Sequence, residues 1–102
     1  MARTPIHPGT ILSDELEASG LSARRLAEIL QVPSNRLYQV LSGKRNVTAD
    51  TALRLGHYFG MSAAFWMNLQ STYELDLAMQ QSAELIAKLP QRSGDGPLAP
   101  AA

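Results

Sequence analysis

Side chains able to recognise an anionic, hydrogen-bonding surface crowd into one stretch of this chain, VPSNRLYQVLSGKRNVTADTALRL, from Val32 to Leu55. Within it, Ser34, Asn35, Arg36, Tyr38 and Gln39 carry donors and acceptors suited to the edges of nucleic-acid bases. Arginine can donate two bonds to guanine O6 and N7, and asparagine or glutamine can pair with adenine N6 and N7. Lys44 and Arg45 follow directly, and Arg24 and Arg25 precede, as charges suited to phosphate oxygens. Formal net charge is zero, so this clustering is local. Residues 21–60 hold six basic side chains (Arg24, Arg25, Arg36, Lys44, Arg45, Arg54) against two acidic ones (Glu28, Asp50), giving +4 there and −4 in the remainder. A basic middle between acidic ends points to one anion-facing surface, with acidic surface left over for another partner.

Other chemistries find little support. Cysteine is absent, which removes disulfides, thiol nucleophiles and cysteine metal sites. His7 and His57 are far apart and lack companions at helical spacing, so no metal site is expected. Asp14, Glu15 and Glu17 read as the solvated face of a helix, since general acid–base work needs carboxyls held in a cleft with perturbed pKa values. With no nucleophile–base pair, metal cluster or phosphate-binding glycine loop, neither an enzyme nor a cofactor is expected. No apolar run approaches the roughly 20 residues of a membrane span, and MARTPIHPGT lacks the apolar core of a signal peptide. The expectation is a cytoplasmic protein.

The elements that must position the basic stretch are all helical. A first helix is predicted from Pro8, a good first-turn residue, to Gly20, with Ile11, Leu12 and Leu16 inward. Leu21-Ser22 reads as staple residue plus N-cap of a second helix, which buries Leu26, Ala27 and Leu30. Gln31-Val32 is a short turn before Pro33 and a third helix, held inward by Leu37, Val40 and Leu41 and ended by Gly43. Thr48 caps a fourth helix, in which Ala52, Leu55, Gly56 and Phe59 follow i, i+3, i+4, i+7 spacing before Gly60. Ser62 caps a long fifth, with Phe65, Trp66, Leu69 and Tyr73 on its apolar side and Phe65 and Trp66 expected in the core. Leu75, Met79, Ile86 and Leu89 continue it at seam-like spacing, either as core, as a dimer seam or as a protein-contact surface.

Two short helices joined by a three-to-four-residue turn in an all-helical domain predict a helix-turn-helix. Ala27 allows close crossing, Val32 plugs the turn, and Ser34, Asn35, Arg36, Tyr38 and Gln39 point outward from the third helix. In such motifs the start of the second helix of the pair enters the DNA major groove. Tyr38 stays open between capping the core and meeting a thymine methyl or phosphate. Expected phosphate contacts are Ser22, Arg24, Arg25, Lys44, Arg45 and Thr48, where helix N-termini offer N–H groups as well as side chains. Residues 1–7 are expected as an N-terminal arm with Arg3 disordered, 8–89 as the helix-turn-helix domain with its long C-terminal helix, and 90–102 as a flexible tail.

HPGTIL, LSARRLAEILQVPSNRL, SGKRNVTADTALRLGHYFG and FWMNLQSTYELDLA, in that order, resemble the HigA/VapI-type antitoxins of bacterial toxin–antitoxin modules. These belong to the wider Cro/cI-like (XRE) helix-turn-helix class, and the likeness covers residues 5–88. It implies an all-α, five-helix bundle of the lambda-repressor-like type and operator contacts at Ser34, Asn35, Arg36, Tyr38 and Gln39. It also implies a homodimer that binds an operator palindrome in double-stranded DNA, represses its own operon and neutralises a HigB-type ribonuclease toxin by direct contact. A stand-alone regulator and a protein-interaction module remain the alternatives. One departure from the class is Gln31, where the turn often carries glycine, and a slightly strained turn is expected there.

Overall fold

The computed structural model describes residues 3–92, which form five α-helices: α1 (Pro8–Ser19), α2 (Ala23–Leu30), α3 (Ser34–Leu41), α4 (Ala49–Phe59) and α5 (Ala63–Ala87). Capping explains most of the boundaries. His7, Ser22, Thr48 and Ser62 are N-caps whose side chains accept from Gly9, Arg25, Thr51 and Phe65 N–H groups. Each satisfies one of the donors that a helix start leaves without an internal partner. α1 and α4 end at Gly20 and Gly60 as expected. α3 stops slightly short of expectation, with Ser42 as its C-cap and Gly43 one residue beyond. Residues 90–92 carry no regular secondary structure; the rest of the expected tail lies outside the described residues.

The core gathers one side of every helix. Leu12, Leu26, Leu37, Val40, Leu55 and Trp66 are fully or almost fully buried, with Ala27 at the α2–α3 crossing and Val32 plugging the turn. Trp66 is its largest member; its Nε1 has no hydrogen-bond partner among the described residues, so the apolar ring system carries its burial. Phe65 corrects the expectation. It is 40% exposed, because one residue along a helix rotates the side chain by about 100° and α4 covers the Trp66 side.

α1 begins directly against the end of α3. A Cβ on Gly9 would lie 2.1 Å from the Val40 carbonyl oxygen and 3.0 Å from that of Leu41. Only a residue without a side chain allows this approach, which accounts for the glycine of HPGTIL.

The far half of α5 leaves the core. Among the residues of α5 only Trp66 and Gln70 are buried, while Leu75 (69%), Met79 (52%), Leu85 and Ile86 (56%) are exposed, as is Leu89 (56%) two residues past its end. Of the three readings open for this stripe, core packing is removed.

The turn between α2 and α3 carries the expected strain. Gln31 is the C-cap of α2 at φ 58°, a left-handed conformation that no other non-glycine residue among those described adopts. That conformation costs an L-residue about 1–2 kcal/mol, partly offset in glycine by its larger unfolded-state entropy. Gln31→Gly is expected to raise the free energy of unfolding by about 0.5–1 kcal/mol, read from urea or thermal unfolding. An unchanged or lowered stability would show that the turn is unstrained.

Candidate nucleic-acid interface

α3 has eight residues, and Leu37 and Val40 commit one side of it to the core. Ser34, Asn35 and Tyr38 are exposed, and Arg36 and Gln39 are half-buried. Tyr38, left open by the sequence, is 52% exposed and so does not cap the core. Asn35, Tyr38 and Gln39 stand at i, i+3 and i+4 and therefore share one face. The start of α3 differs from those of the other helices: Pro33 is its N-cap and supplies no side-chain acceptor. The Ser34 and Asn35 N–H groups are left for an outside acceptor, as phosphate oxygens provide.

The basic loop folds back onto this helix. The Gln39 carbonyl accepts from Lys44 N–H at 2.8 Å and from Arg45 N–H at 3.2 Å. Arg45 Nε donates to Gln39 Oε1 at 2.8 Å. The loop and the outward face of α3 are thus one unit, and the Gln39 side-chain oxygen is oriented by a guanidinium. At the loop's end, Val47 is buried and its N–H donates to Gln70 Oε1 at 2.7 Å. Gln70 in turn donates to Glu74 Oε2 at 2.9 Å. A glutamine of α5 therefore ties down the segment that leads from Lys44 and Arg45 into α4.

The other expected contacts fall on the helix starts flanking this unit. Arg24 and Arg25 are exposed in the first turn of α2, and Ser22 and Thr48 are exposed N-caps. Both hydroxyls already accept from their own helices, at 3.1 Å from Arg25 N–H and 3.3 Å from Thr51 N–H. The six basic residues divide by role. Arg54 is structural: it donates to the Leu30 carbonyl at 2.7 Å, closing the end of α2, and pairs with Asp50 at 2.9 Å. Arg25 makes a long exposed pair with Glu28 at 3.4 Å, which solvent screens strongly. Arg24, Arg36, Lys44 and Arg45 have no ion-pair partner among the described residues. Arg3, expected disordered, pairs instead with Asp76 of α5 at 3.3 Å.

Three contributors went unnoticed in the sequence. Gln70 is a polar residue one turn after Trp66 on an inward face, and that misplaced polarity was its signal. His7, directly before a first-turn proline, occupies an N-cap position. Arg54 gave no signal, because its partner Leu30 is 24 residues away. Among the described residues there is no cluster of groups able to hold a metal ion, and no helix is long and apolar enough to cross a membrane.

An exposed short helix, open at its start and backed by a basic loop on a five-helix frame, defines a helix-turn-helix protein of the DNA-binding class. Residues 12–66 match the family described as Helix-turn-helix. The chain is 47% identical over 87 residues to Virulence-associated protein I of Dichelobacter nodosus, covering 82% of this chain and 81% of that one. It superposes on an addiction module antidote protein of a HigA family from Coxiella burnetii with TM-score 0.85 and 43% identity, covering 89% of this chain and all of the other. The Pseudomonas aeruginosa antitoxin HigA, solved with the higBA promoter, gives 0.81 and 42% over 85% of this chain and 97% of the relative. The chain belongs to the HigA-type antitoxins within the helix-turn-helix family.

Gln70→Met removes the acceptor of a buried N–H at nearly constant volume. It is expected to cost about 1–3 kcal/mol of stability and to speed hydrogen exchange at the Val47 amide. A neutral effect on both would show that the bond does not anchor the loop.

Proposed function

We propose that this protein is the antitoxin of a type II toxin–antitoxin module, a dimeric repressor that reads its own operator through α3 and neutralises a HigB-type ribonuclease. The observation that carries the DNA reading is the outward face of α3, whose Asn35, Arg36, Tyr38 and Gln39 stand beside the basic loop. In this reading Ser34, Asn35, Arg36, Tyr38 and Gln39 meet base edges. Lys44, Arg45, Arg24, Arg25 and the starts of the helices capped by Ser22 and Thr48 meet phosphates and set the register. The promoter complex of the Pseudomonas aeruginosa relative supports the operator as ligand. The protein would act in the cytoplasm, where its DNA and its toxin meet.

The exposed stripe supports dimerisation. Leu75, Met79 and Ile86 lie on the half of α5 that leaves the core and Leu89 just past its end, all exposed, and exposed apolar side chains in such number favour a protein contact. On palindromic DNA the two α3 helices of a dimer must sit one helical turn apart, about 34–36 Å.

Two experiments test the reading. Fluorescence anisotropy with the upstream DNA of its operon is expected to give tight, salt-sensitive binding. The Asn35→Ala/Arg36→Ala variant should lose about 2 kcal/mol or more, roughly thirtyfold in Kd. Equal, weak binding to upstream and scrambled duplexes, unaltered in the variant, would remove the operator assignment and favour a protein-interaction module. Separately, Met79→Glu/Ile86→Glu is expected to halve the mass measured by sedimentation without loss of helix. A native mass already equal to one chain would refute the seam, and a module toxin whose RNA cleavage persists with wild-type protein in excess would leave a stand-alone regulator.

A further inference from the structure

His7 is placed to do more than cap a helix. Its Nδ1 accepts from the Gly9 N–H at 2.9 Å, so that nitrogen carries no proton, and the neutral ring bears its hydrogen on Nε2. On one side the ring meets Tyr73 of α5 edge-to-face, with centroids 4.9 Å apart. On another it lies beside the basic loop, at a distance where a Cβ added to Gly43 would just touch His7 Cγ at 3.8 Å. Nε2 is buried and forms no hydrogen bond of good geometry. α1, the α3–α4 loop and α5 thus converge on one imidazole, two residues before Gly9 presses on the end of α3.

We propose that His7 is a positioning residue for the loop Gly43–Arg45, its neutral ring wedging that loop against α3 in the arrangement that meets DNA. The inference rests on the loop being a DNA contact, as argued above. The loop is held to α3 by the Gln39 carbonyl and side chain, and the His7 ring lies beside it at Gly43.

Protonation undoes the wedge for two reasons. An imidazolium has two donors, so Nδ1–H would confront the Gly9 N–H it now accepts from. It would also place positive charge on the positive end of the α1 dipole. The charged and titratable groups on the surrounding elements are Tyr73 of α5, Lys44 and Arg45 of the loop, and the Arg3–Asp76 pair between arm and α5. Burial pushes the His7 pKa below the ordinary 6.5; the Arg45 backbone carbonyl works in the opposite direction to a smaller extent. Because the folded-state value is depressed, the wedge is complete above the unfolded value and is lost as pH falls through the folded one.

The sign separates this device from plain electrostatics. Acidification makes a protein more positive and ordinarily strengthens its hold on DNA. Here operator affinity should fall instead, by about tenfold for each pH unit below the lowered His7 value. His7→Asn keeps an N-cap acceptor that does not titrate and should bind with little pH dependence or more tightly in acid. A wild type that tightens in acid alongside the variant would overturn the proposal.

A second measurement uses the wild-type chain without DNA. In an NMR titration the Gly43, Lys44 and Arg45 amides should follow the His7 ring, with a midpoint below 6.5, and should ignore exposed His57. Loop amides that stay fixed while His7 titrates would overturn the wedge. Loop amides that follow His7 in a protein that binds no operator at any pH would uphold the wedge and overturn the DNA reading alone.

Discussion

An eight-residue helix does not persist by itself in water, where even favourable sequences need about 12–15 residues. α3 therefore exists only as far as its neighbours hold it, and the rest of the molecule can be understood as that holding. Leu37 and Val40 anchor it laterally in the core. Gly9 lets the start of α1 press on the carbonyls of Val40 and Leu41. The basic loop turns back onto Gln39, and Gln70 fastens the far end of that loop to α5. The helix backbone and the Gln39 side chain are thereby fixed in direction before any ligand arrives, which lowers the ordering cost of binding.

Much of this was legible in the chain. Ser22, Thr48 and Ser62 sit directly before inward-facing periodic runs, and each is an N-cap because its short hydroxyl reaches a first-turn N–H. The apolar sides of α1, α2 and α4 follow from spacing, which geometry enforces locally. Gln31 was readable through the resemblance alone, as a departure from a class whose turn often carries glycine, and its left-handed φ gives the physical reason. What stayed hidden depends on long-range partners. Gln70 serves Val47 from 23 positions away and Arg54 serves Leu30 from 24. Phe65 and Trp66 look alike in a one-dimensional pattern, yet one is 40% exposed and the other fully buried.

The charge distribution was informative and also coarser than it looked. A count places Arg54 with the DNA-facing charges, whereas the structure spends it on closing α2 and on Asp50. The basic residues with no ion-pair partner among those described flank the recognition face instead. Family membership adds to this geometry without replacing it, since the family pattern names positions while hydrogen bonds explain why those positions stay put. HPGTIL illustrates the difference: as a motif it is a label, but physically it is a cap, a first-turn proline and a gap for two carbonyls.

α5 serves two masters in succession along its length. Its first two turns supply Trp66 and Gln70 to the interior, and its far half contributes no buried residue. Sites more than about 7–10 Å apart with no shared partners change stability almost independently. Substitutions past the contacts of Tyr73 with His7 and of Asp76 with Arg3 are therefore nearly neutral for the fold. The last turns of this helix can be altered without disturbing the framework that holds α3.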